Sequence, residues 1–221
     1  MANAPTPPTA SSRATTGGVD RRRVIMLGAV AVALAGAAGV MIYNARSRPG
    51  AGDAMSRLGA GVDDVVLVGR AGEEVRWGAL KGRPRVVFFG FTHCPVICPV
   101  TVWELNDAMD RIGAPTENLA IEFVTIDPAR DTPERLSDYF SGFGERVRGY
   151  SGTPEAIARI ARGFEVVYRR NALEGEDYTM DHTATVFLID SEGRVADVLA
   201  YGSPPDVIEA RLRALVGASA D

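Results

Sequence analysis

Thiol chemistry in this chain is confined to one short segment. Cys94 and Cys98 are its two cysteines, both inside FFGFTHCPVICP, which runs from Phe88 to Pro99. Two residues between cysteines suit disulfide exchange, with one thiol buried under the other. Three residues still permit a disulfide, and they also let both sulfurs converge on one ion. Thiolates are soft ligands and select soft metals such as Cu(I) or Zn. Two sulfurs need at least one further donor, and the chain holds two histidines. His93 adjoins Cys94, and neighbours at a strand end project in different directions, so joint ligation by that pair is disfavoured. A supporting or solvent-facing role suits His93 better. His182, in DYTMDHTATVFLID, is the candidate third ligand, and the competing reading is an ordinary surface histidine. Asp177 and Asp181 lie near enough in sequence to orient its imidazole, as carboxylates often do for a ligating histidine. Met180 carries a soft thioether, but packing is its simpler role.

These side chains need a frame. RPRVVFFGF is a continuous apolar run of strand length, which predicts a buried central strand directly ahead of the cysteines. In VTVWELNDAMDRIG, Val102, Leu105, Ala108, Met109 and Ile112 fall at helical spacing, closed by Gly113. The cysteines therefore lie between a strand and a helix start, where backbone N–H groups stabilise a thiolate. LAIEFVTID predicts a second buried strand, and DVVLVGRAGEEVRW an early hairpin. Thr132–Pro133–Glu134, Thr153–Pro154–Glu155 and Ser203–Pro204 each read as a capped helix start. EVVYRR is strand-like, EGEDYTMD reads as an acidic loop, and TATVFLID–SEGR–VADVLAY as a hairpin with His182 at its mouth.

The order is β-α-β, then β-β-α. It predicts an α/β, thioredoxin-like domain with an added N-terminal β-hairpin. In that topology the loop before the late hairpin faces the cysteine loop. Redox enzymes of this plan place a cis-proline there, yet no proline occurs between Pro154 and Pro204. DHTAT fills the place, which favours a metal ligand without removing the redox reading. Trp103 and the cluster Phe88, Phe89 and Phe91 read as core, and Val96 with Ile97 as an apolar lip. Asp127, Arg130 and Asp131 in DPARDTP read as an ion-pair and capping network.

The first 50 residues carry six Arg and one Asp, whereas the remainder carries 17 Arg, one Lys and 27 acids. An acidic domain of this kind argues against nucleic acid as a partner. Residues 1–23 read as a disordered tail on the cytoplasmic side. Residues 24–43 form an uncharged apolar run, long enough as a helix to span about 30 Å, and so predict one transmembrane anchor. A signal peptide cleaved near Ala33–Ala35, a twin-arginine signal in DRRRVI and a buried helix are the competing readings. Residues 44–61, rich in Gly, Ala and Ser, read as a flexible linker, and 62–221 as the folded domain. All the targeting readings place that domain outside the cytoplasm, where paired thiols meet oxidising conditions.

Three blocks together resemble the Sco/SenC family of copper-delivery proteins: FGFTHCPVICP, VTIDPARDTPERL and DYTMDHTATVFLID. The similarity covers roughly residues 60–217. It implies a thioredoxin-like copper-binding domain on a single helix in the inner membrane, facing the periplasm. It implies Cys94, Cys98 and His182 as ligands of copper, Cu(I) or Cu(II). The implied role is assembly of the binuclear copper site of cytochrome c oxidase, with oxidase subunit II as recipient and a copper-donor chaperone upstream. Such a protein carries an ion and turns over no substrate, although thiol–disulfide reductase activity on the recipient's cysteines is the alternative. One position departs from the family: Val96 stands where an Asp is common between the cysteines.

Overall fold

The structure, a computed structural model, describes residues 55–175 and 177–217. The tail 1–23, the apolar span 24–43 and most of the linker lie outside the described residues. No helix among the described residues is long and apolar enough to cross a membrane. Met55 to Gly61, the end of the predicted linker, form turns laid on the domain. The Gly59 N–H donates to the Gly163 carbonyl at 2.7 Å, and Met55 and Leu58 pack against the core.

The chain opens with a hairpin, β1 (Val66–Gly69) and β2 (Glu74–Arg76). Strand β3 (Arg85–Gly90) follows and is buried at every position. It leads through the cysteines into α1 (Ile97–Ile112), then β4 (Ala120–Thr125), also buried throughout, and α2 (Pro133–Tyr139). β5 (Val147–Ser151) and α3 (Pro154–Gly163) come next. β6 (Tyr168–Ala172) and β7 (Tyr178–His182) form a hairpin, then β8 (Val186–Ile189), β9 (Val195–Leu199) and α4 (Pro205–Gly217) complete the chain. The main sheet has the order β2-β1-β5-β4-β3-β8-β9, and β6-β7 is a separate two-stranded sheet. β3, β4 and β5 run parallel, while β8 lies antiparallel to β3. A parallel strand covered on both faces favours apolar residues on both, which is why VVFF and most of its partner strand read as apolar runs, Glu122 being the exception.

Local signals place the helix ends. Thr132 and Thr153 accept hydrogen bonds from the Arg135 and Ala156 N–H groups, with Pro at the first helical position. Gly113 closes α1 at φ 76° and donates to the Met109 carbonyl. Ser203 does not cap the last helix: its hydroxyl donates to the Ala200 carbonyl and the helix begins at Pro205.

Three elements differ from the sequence reading. β5 was not foreseen, because VRGYS carries an Arg and a Gly inside a buried strand. The segment read as an acidic loop contains β7, whose alternation of Tyr178, Met180 and His182 with Thr179 and Asp181 was the available signal. Trp103 is not core but 57% exposed. It continues a solvent-facing line from Val96 and Val100, one turn apart each time, while the opposite face of α1 buries Val102, Leu105 and Met109.

Candidate metal centre

Cys94 follows the end of β3 and Cys98 lies inside the first turn of α1. The helix has no side-chain cap from Val96, its N-cap residue. A sulfur takes that place instead: the Cys98 N–H donates to Cys94 Sγ at 3.4 Å. The Cys98 thiol and the Val96 and Ile97 N–H groups are the other neighbours whose hydrogen bonding favours a thiolate at Cys94. The thiol bond first, and the backbone N–H groups after burial is offset, bring the Cys94 thiol down to about 5 from its ordinary 9.0. The same bond and then burial push Cys98 far upward. The pair therefore shares one proton, held on the buried Cys98, and exposes a thiolate at the half-buried Cys94.

Close approach of Cys98 to the sheet depends on Gly90. A Cβ at that position would lie 2.9 Å from Cys98 Sγ and 2.8 Å from the Phe123 ring. Only a residue without a side chain lets β3 pass under the sulfur.

His182 ends β7, and its Nε2 lies 3.7 Å from Cys98 Sγ. Its other ring nitrogen, Nδ1, is 2.9 Å from the Thr183 carbonyl. A carbonyl only accepts, so Nδ1 donates to it, and Nε2 is the ring nitrogen that faces the sulfur. Phe88 and Phe91 wall the ring edge-on, with centroids 6.2 and 6.0 Å away. The sequence assigned this orienting role to Asp177 or Asp181. Strand alternation turns Asp181 away from the imidazole, and it pairs with Arg169. Asp177 pairs with Arg130.

His93 stands apart from the sulfurs. Its Nδ1 is 3.3 Å from Thr92 Oγ1 and 3.8 Å from Asp131 Oδ1, and its side chain is largely exposed. Met180 packs against the core. The DPARDTP block makes the predicted ion-pair and capping network. Asp131 accepts from the Thr92 N–H, the Thr92 hydroxyl and the Thr125 hydroxyl, and Asp127 pairs with Arg130.

The described residues hold no cluster of three His, Cys, Asp or Glu already spaced around an ion. What they hold is a row: the Cys94 thiolate, the Cys98 thiol and the His182 Nε2, each beside the next. Its donor chemistry, two sulfurs and one neutral nitrogen in a partly apolar box, fits a soft monovalent ion better than a hard cation.

A family model described as SCO1/SenC matches residues 59–217. The mitochondrial protein SCO1 homolog 1 of Arabidopsis thaliana is 34% identical over 145 residues, 64% of this chain and 42% of that protein. The human mitochondrial SCO1 homolog is 36% identical over 119 residues, 52% of this chain and 40% of the human one. The chain thus spans about two fifths of the length of these relatives. Among solved structures, copper-bound ScoI of Bradyrhizobium japonicum superposes with a TM-score of 0.63 at 33% identity, covering 68% of this chain and 96% of that one. Copper-bound ScoI of Arabidopsis thaliana gives 0.64 at 29% identity, covering 69% and 96%.

Proposed function

The chain belongs to the SCO1/SenC family, and from that premise we propose that it carries one copper ion on Cys94, Cys98 and His182. The cargo is handed on during assembly of the binuclear copper site of cytochrome c oxidase, with oxidase subunit II as recipient and a copper-donor chaperone as source. Residues 24–43 hold the domain to the inner membrane, on its periplasmic side. The observation that supports this reading is the placement of His182 Nε2 against Cys98 Sγ, with Nδ1 already engaged by Thr183. A histidine kept on the surface for solubility has no need of a fixed tautomer. Two sulfurs and one nitrogen leave an ion three-coordinate, so an incoming ligand can attack it and take it away. Copper binding displaces the proton shared by the two cysteines, which gives affinity a dependence on pH.

X-ray absorption on the purified, copper-loaded full chain tests the ligand set. The expected result is two sulfur scatterers and one nitrogen at one copper per chain. His182→Ala should lose the nitrogen, and Cys94→Ala or Cys98→Ala should lose the ion. An unchanged nitrogen shell without His182 would remove the histidine from the site.

The asymmetry of the two thiols supports a second reading. A Cys94 thiolate can attack a disulfide of the recipient, forming a mixed disulfide. Cys98 gives its proton to the recipient thiolate released in that first exchange and attacks Cys94 Sγ, leaving a Cys94–Cys98 disulfide and passing two electrons to the recipient, whose cysteines leave reduced. That chemistry needs no third ligand, and in it His182 would only tune the two thiols. Oxidase assembly in a His182→Ala strain separates the two: carriage fails there, reduction does not.

A further inference from the structure

Arg130 and Tyr178 touch neither sulfur nor imidazole, yet they join the two halves of the site. We propose that Arg130, acting through Tyr178, is the positioning residue that holds the β6–β7 hairpin, and with it His182, over Cys94 and Cys98. The proposal rests on His182 being a copper ligand.

Among the described residues the hairpin pairs only with itself and forms no ladder with the main sheet. A lone two-stranded hairpin is marginally stable at best in water, so something must anchor it. Met180 and Tyr168 pack the hairpin's inner face against the core, and near His182 the Thr183–Val167 hydrogen bonds close the hairpin on itself. The Arg169–Asp181 pair is exposed and contributes little. At the other end of β7, Tyr178 is held at its carbonyl, its hydroxyl and its ring. Its carbonyl accepts from Arg130 Nη1 at 2.9 Å, and its hydroxyl donates to Asp127 Oδ1 at 2.7 Å. Its ring lies between two guanidinium groups, with Arg130 at 3.5 Å from the centroid and Arg170 at 3.6 Å. Arg130 Nη1 also reaches Asp177 at 3.2 Å. Tyr178, Met180 and His182 share one face of the strand, so a grip on the first sets the position of the last.

Arg130 is itself fixed. Its Nε donates to Asp127 Oδ2 at 2.6 Å, with side chains only 18% and 5% exposed. Asp127 is held by its N–H on Thr125 Oγ1 at 2.9 Å. The next residue after Arg130 reaches the other way. Asp131 takes the Thr92 N–H at 3.0 Å and the Thr92 hydroxyl at 2.6 Å, two residues ahead of Cys94. One short loop after β4 thus ties the cysteine segment on one side and the histidine hairpin on the other. A helix cap alone would need only Thr132.

A mutant cycle on the full chain tests this, using native protein, Arg130→Met, His182→Ala and the double variant. Copper(I) affinity is read by competition with a chromophoric Cu(I) chelator, and hydrogen exchange is read on the metal-free proteins. Arg130→Met should weaken copper about tenfold or more, the range seen for groups that orient ligands. It should speed exchange at residues 168–182 while leaving β3 and β4 unchanged. In the His182→Ala background it should cost nothing further. Tyr178→Phe, which removes one hydroxyl on a partly exposed strand, should loosen the same amides to a smaller degree and serves if Arg130→Met folds poorly. Equal losses in both backgrounds, or unchanged exchange in the hairpin, would overturn the proposal. If His182→Ala itself leaves affinity intact, the ligand reading fails, and the exchange data still decide the tie.

Discussion

At the scale of single residues the site is an arrangement of protons. Cys98 gives its hydrogen bond to Cys94, and Thr183 takes the one from His182. Each of the three groups is thereby left with a defined role before any ion arrives: a thiolate at Cys94, a thiol at Cys98 and an imidazole whose Nε2 faces them. The consequence for Cys94 is measurable in the reduced, metal-free protein. Its alkylation by iodoacetamide should follow a titration with a midpoint near 5, against 9.0 for an ordinary thiol. The direction follows from which form is stabilised: hydrogen bonds to sulfur favour the thiolate, so the proton leaves at lower pH. Cys98→Ala removes the first of those donors and should raise the midpoint. The Val96, Ile97 and Cys98 N–H groups remain to keep it below the ordinary value. A native midpoint near 9 would contradict the hydrogen-bonding scheme. Mass spectrometry of the labelled Cys94 peptide reads the rate at each pH.

At the scale of elements, β3 and β4 do two things at once. Their upper ends present the cysteines and the DPARDTP loop, and their bodies bury charge. Glu122 on β4 faces Val87 across the pair and is 2% exposed. Its Oε2 has no hydrogen-bond partner, while Oε1 is 3.6 Å from Arg148. Burial outweighs Tyr150 and the arginines and raises its pKa above the usual 4.5. A raised carboxyl pKa means the folded state keeps a proton that the unfolded state has lost. The contribution is fully present below the unfolded value and is lost as pH rises through the folded one. Glu122→Gln has no such proton to lose, so the native protein should lose stability relative to it as pH rises from about 4.5 towards neutrality. Urea melts of both proteins across that range check this, and parallel profiles would refute it.

The same elements show what a sequence can reveal. β3, β4 and α1 were legible because burial on both faces, or on one helical stripe, writes an apolar pattern. The cysteines and His182 were legible through residue type, since few side chains suit a soft ion. β7 was not, because a half-exposed strand with charged neighbours imitates a loop. The partner of the His182 Nδ1 was not either: a backbone carbonyl leaves no mark on composition. Trp103 was misplaced because an aromatic on an amphipathic helix reads as core until the register of its face is fixed.

At the scale of the whole molecule, copper would act as a cross-link. Cys98 and His182 are 84 residues apart in sequence. One sits in the first turn of α1 and the other on a hairpin that, among the described residues, forms no ladder with the main sheet. Binding to the folded state alone stabilises it by about 2.7 kcal/mol when free ligand is a hundred times the dissociation constant. For a domain of this size that corresponds to a rise in melting temperature of about 5–10 °C. The unfolded chain weakens the effect, because Cys94 and Cys98 are close neighbours and can bind copper without any fold. What the unfolded chain cannot do is bring the histidine to them. The native protein should therefore show a clear rise in melting temperature on Cu(I) loading under reducing, anaerobic conditions. His182→Ala should lose most of that rise even though both thiols remain to bind the ion. Differential scanning calorimetry of the two proteins, with and without copper, makes the comparison. An equal rise in both would mean that the ion is held by the cysteine segment alone, and that the hairpin is no part of what folding contributes to the site.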